Sequence, residues 1–178
     1  MNSRQYIIKT AMAGFIILCV AALGGCSIFA GGYNSKIEEL REVEEPAIKC
    51  PRLIAFLEVG PRLIGYPALN AQDALIECGN GAIPYLKTAI QDRTHNDRAR
   101  RLMLETLVEI TGREAGYMLL QIARDTTETN TQRVEAIELL VKINARQTQT
   151  SMRKLFIDET QPRSVRRAAK RAFNKFEY

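Results

Sequence analysis

The chain has 178 residues, with 25 Lys and Arg against 20 Asp and Glu, and a formal net charge of +5. It has no Trp, only 7% aromatic residues, and many Leu, Ile, Ala, Arg and Glu, a composition that argues against a strand-rich fold and for helices. The charge is uneven: Cys26 to Ile90 carries six basic residues against eight acidic, whereas Gln91 to Tyr178 carries seventeen against twelve. Were the chain secreted, such a basic half would suit acidic headgroups or an acidic partner and no nucleic acid.

Arg4 and Lys9 precede an apolar run from Thr10 to Leu23, a pattern that enters a translocon. Leu23-Gly24-Gly25-Cys26 follows directly. This stretch resembles the lipobox of bacterial lipoproteins, with Leu23 at its first position and Cys26 at its last. The resemblance implies that residues 1-25 are a signal peptide that is removed. Cys26 then becomes the mature N-terminus, its sulfur and amine carrying acyl chains such as palmitate. Ser27 in place of Asp after that cysteine implies sorting to an outer membrane, facing the periplasm. The alternative is an uncleaved transmembrane anchor, because nothing between Lys9 and Lys36 is charged and a span needs about 20 apolar residues. Gly24, Gly25, Gly31 and Gly32 interrupt the distal half of that run. Cys19, the rival lipid site, follows the bulky Leu18.

Residues 26-35 read as a lipidated tether, since Gly31-Gly32 discourages regular structure. Residues 36-66 read as short irregular helices. Lys36 to Glu45 forms an acidic one stopped by Pro46, and Pro51 and Pro61 are placed to start two more. Cys50 and Cys78 survive processing besides the lipidated cysteine. Either they form a disulfide in an oxidising compartment, or they pack as buried thiols.

From Pro67 the sequence acquires a period. Asp92, Asp125 and Asp158 are 33 residues apart, and so are Arg100, Arg133 and Arg166. Leu107, Leu140 and Phe173 keep the step, as do Ile110, Ile143 and Phe176, Leu86, Leu119 and Met152, and Ala89, Ile122 and Leu155. Gly79 and Gly112 mark breaks between helices. Two helical patterns per period and no strand pattern predict an all-α fold, a short α-solenoid of helix pairs over residues 67-178. AIPYLKTAIQD at Ala82 to Asp92, and Ser164 to Ala169, resemble HEAT repeats. In that family the turn Asp sits six residues before its Arg. Here the separation is eight, so the turns are longer and the family's Asp-Arg ladder is not expected to carry over.

Catalytic patterns are sparse. His95, the single histidine, lies in a polar run and reads as an exposed turn residue; no cofactor or metal is expected. Glu135 and Glu138, three apart, read as a solvated face. The terminal helix carries Arg163, Arg166, Arg167, Lys170 and Arg171 as one positive stripe opposite Val165, Ala169, Ala172 and Phe173. The plainer reading is a polar capping helix, which a solenoid needs at its open end; the single sign of the charge is what keeps an acidic-partner surface open beside it. The expected function is that of a non-enzymatic, membrane-anchored helical-repeat lipoprotein, a protein-interaction or scaffold module of the bacterial cell envelope. Two alternatives remain: binding of anionic membrane or another polyanion through the basic helix, and a HEAT-like lyase-type accessory enzyme.

Overall fold

The structure is a computed structural model that describes residues 28–60 and 66–176, with side chains from residue 32 in the first stretch. The expected signal peptide and lipid-bearing Cys26, and the helix expected at Pro61, lie outside the described residues. The fold is all-α: among the described residues there is no strand.

The first helix, α1 (Ile28–Arg41), corrects the expected tether, because residues 28–35 are helical in spite of Gly31 and Gly32. Each glycine costs a helix roughly 1 kcal/mol, and packing overrides it. Ile37 and Leu40 are buried, and Tyr33 meets Phe56 edge to face at 5.8 Å. Pro46 does not only stop a helix; it opens the next one, α2 (Pro46–Phe56), at the position where its missing N–H costs nothing. Pro51 lies inside α2 and starts no helix of its own. It forfeits a single backbone bond, while Cys50, Leu53 and Ile54 hold the helix to the core.

The regular region follows as α3 (Pro67–Glu77), α4 (Ile83–Gln91), α5 (Asp97–Thr111), α6 (Gly116–Arg124), α7 (Asn130–Lys142), α8 (Gln149–Ile157) and α9 (Arg163–Phe176). Helix α3 packs on α5, α5 on α7 and α7 on α9, while α4, α6 and α8 each lean on the odd-numbered helix that follows. The positions that keep the 33-residue step are the buried ones. Leu86, Leu119 and Met152 are fully enclosed, and Ala89, Ile122 and Leu155 nearly so. Leu107 and Leu140 are buried, while their counterpart Phe173 is half-buried and stacks obliquely on Phe156 at 5.5 Å.

Gly79 and Gly112 both adopt φ near +55°, a conformation that lets the chain turn directly from one helix into a short 3-10 segment. In the next unit Asn144 takes that role at φ 52°, one residue ahead of the glycine register. Asparagine is among the few side chains that tolerate it.

Cys50 and Cys78 come within hydrogen-bonding reach of each other, with no bond between their sulfurs in this structure. Cys78 donates to the Ala74 carbonyl at 3.1 Å. Burial, reinforced by Cys78, pushes the Cys50 thiol up to about 12, which leaves it protonated and a poor nucleophile at neutral pH.

Candidate functional site

The 33-residue step has a chemical core as well as an apolar one. Arg100, Arg133 and Arg166 each occupy the fourth position of their helix, and each reaches back ten residues to a carbonyl in the last turn of the preceding helix. Arg100 Nη2 donates to Ile90 O at 2.9 Å, Arg133 Nε to Ala123 O at 3.1 Å, and Arg166 Nε to Phe156 O at 3.3 Å. Those carbonyls have no partner within their own helices, and a cation beside a helix C-terminus also complements its dipole. The periodic aspartates do a different job. Asp92, Asp125 and Asp158 accept from the backbone N–H of Thr94, Thr127 and Thr160 at 2.9, 2.8 and 3.0 Å. Hydrogen bonds from those threonines hold all three carboxyls below the usual carboxylate range.

No arginine of the series makes an ion pair with the aspartate of its own turn, so the family-type ladder is absent among the described residues. Each buried guanidinium instead grips the turn of the next unit. Arg100 holds both carboxylate oxygens of Glu128, at 2.7 and 2.8 Å, and this pairing raises its pKa further. Arg133 donates to Gln161 Oε1, and burial without a carboxylate on its fork lowers its pKa.

The charges balance in both places. Around Glu128 a second cation, Arg93, meets Asp125 at 2.9 Å and Glu128 at 3.5 Å, giving two arginines for two acids. One unit on, Thr126 stands where Arg93 stood and Gln161 where Glu128 stood. Gln161 relays Arg133 to Asp158, donating to Asp158 Oδ2 at 2.8 Å.

Glu128 and Gln161 are the partners of the buried arginines that the sequence reading missed. They share the 33-residue step with His95, but the residue type changes at every unit. His95 itself is no plain exposed turn residue. It is half-buried, with Nδ1 2.9 Å from Glu58 and Nε2 4.0 Å from Asp92, and so ties the turn to the end of α2. Glu135 also departs from the solvated face expected of it: its side chain is 14% exposed, it meets Arg101 at 3.4 Å, and burial raises its pKa. Glu138 is exposed as expected.

The terminal stripe divides in two. Helix α9 packs on both α8 and α7, so its two flanks face different neighbours. Arg171 lies on the α7 flank, where it pairs with Glu138 at 3.2 Å; Lys142 and Glu109 make the analogous exposed bridge one unit earlier. Such pairs contribute about 0–1 kcal/mol. Arg163, Arg166, Arg167 and Lys170 lie on the α8 flank. With Phe156 and the exposed Ile157 they line a recess of about 660 Å³. None of the four forms an ion pair with a described residue. The result is an apolar floor ringed by cations that have no ion-pair partner among the described residues, able to take an acidic group that brings some apolar surface with it. Val165, Ala169 and Ala172 are buried on the opposite face, as expected.

Among the described residues no cluster of His, Cys, Asp and Glu is placed to hold a metal ion, and no helix is long and apolar enough to cross a membrane. No family model matches the chain, and no curated protein or solved structure matches it either.

Proposed function

We propose that the protein is a lipid-anchored, non-enzymatic helical-repeat module of the bacterial cell envelope that binds an acidic partner through the basic recess at α8 and α9. The observation that carries the binding half is the contrast between units. Every buried arginine of the inner units is matched by side-chain acceptors, whereas the cations of the recess make no ion pair with a described residue. The repeated contacts of odd helix on odd helix support a HEAT-like solenoid, an architecture suited to extended protein-binding surfaces.

The anchor rests on the lipobox resemblance at Leu23 to Cys26. One acyl chain gives only marginal membrane binding, while several hold a protein stably. Cys26→Ser should therefore leave an unacylated precursor with residues 1-25 still attached. Intact mass and metabolic labelling with a fatty acid check this, and a variant that is still labelled and matured overturns the anchor. The binding half is tested by charge reversal at Arg163 and Arg167, neither of which has an intramolecular ion pair among the described residues to lose.

A further inference from the structure

The recess is more than a charged surface, because the repeat defines what belongs in it. Phe156 and Ile157 occupy the register of Ile90 and Gln91, and Arg166 that of Arg100. On the inner unit, the recess beside Ile90 and Gln91 is walled by Ile122 of α6 and by Asp125 and Glu128 of the next turn. There Glu128 takes both forks of Arg100.

We propose that the recess at Arg166 is a glutamate-accepting site, in which an acidic segment of a partner protein seats one carboxylate on Arg166 as Glu128 seats on Arg100. This rests on the interaction-module reading above and specifies its partner chemistry. A protein carboxylate is favoured over a lipid phosphate by the internal precedent, in which a planar fork meets a carboxylate beside apolar side chains. Arg166 is already oriented by its bond to Phe156 O, and no described residue occupies the place of Glu128. Arg163, Arg167 and Lys170 supply the surrounding positive field. Asp158 lies near enough to Arg166 to feel its charge, but makes no ion pair with it. Glu159 stands in the register of Arg93, so it opposes the incoming acid.

The probe is a fluorescent peptide with the sequence of residues 121–131, which contains Glu128, the carboxylate that seats on Arg100, and the Ile122 and Asp125 that flank it. Its companion carries Gln in place of Glu128. Binding to the full chain in neutral detergent should weaken about tenfold with Arg166→Gln, and by a similar factor with the Gln peptide, as a charge-assisted pair implies. Arg171→Gln should leave affinity unchanged, and Glu159→Thr, the middle unit's residue, should tighten it. If Arg166→Gln loses helical signal, Arg166→Lys replaces it; this keeps the charge but not the fork, and is expected to weaken binding several-fold.

Equal losses from Arg166→Gln and Arg171→Gln would overturn the seat while leaving a diffuse basic surface standing. No binding of the peptide by wild type overturns it too. Wild-type binding to phosphatidylglycerol vesicles but not to the peptide would assign the recess to lipid instead.

Discussion

Replacing Leu140 with Asp should unfold the repeat region. Leu140 is fully enclosed on α7, the helix that packs against both α5 and α9, so no rotamer takes a carboxylate to water without opening a seam between units. Losing the leucine costs about 2–5 kcal/mol, and an unpaired buried charge adds several more. Together these match the whole stability of an ordinary domain, about 5–15 kcal/mol. Circular dichroism of the full chain in detergent should show helical signal lost at room temperature. Glu159→Ala, in an exposed turn, should melt within a few degrees of wild type. If both variants melted like wild type, the 33-residue register would be wrong.

The second large effect belongs to Arg100. Arg100→Ala removes both forks from Glu128, whose side chain is only 7% exposed, and frees the Ile90 carbonyl. Breaking a buried pair by deleting one partner costs about 3–5 kcal/mol, chiefly because the surviving charge stays buried. Arg93, at 3.5 Å, compensates in part. The loss should shrink when Glu128 is also replaced by Gln, since the stranded charge is then gone, and urea titration of the two single variants and the double measures that coupling. Arg166→Ala should cost far less, because Arg166 is half-exposed and holds one carbonyl at 3.3 Å. Equal costs at Arg100 and Arg166 would contradict the clamp.

What the sequence made legible follows from what the repeat must conserve in space. Leu86, Leu119 and Met152 recur because one cavity recurs, and apolar type is enough to reveal it. The arginines were visible for the same reason: each serves the same carbonyl geometry, ten residues back. Their partners were hidden because a guanidinium fork donates to a carboxylate or to an amide oxygen alike. Glu128 and Gln161 therefore share a position without sharing a type, and Thr126 restores the charge balance that Arg93 provides elsewhere.

Local propensity misled at the N-terminal side. Gly31, Gly32 and Pro51 weaken a helix in isolation, but burial of Ile37, Leu40, Leu53 and Ile54 outweighs them. The stripe on α9 was read as one because helical spacing places Arg171 beside Arg167. Only the packing of α9 between α7 and α8 shows that Glu138 claims Arg171.

The most direct measurement puts a photo-crosslinking amino acid at Ile157, the 57% exposed residue on the floor of the recess, in the full chain in intact cells. Discrete adducts with a protein should form. They should vanish when Arg163 and Arg167 are changed to Glu, and fade as salt shortens the screening length below about 8–10 Å. Adducts with lipid alone, or protein adducts unaffected by the charge reversal, would contradict an acidic protein partner at this recess.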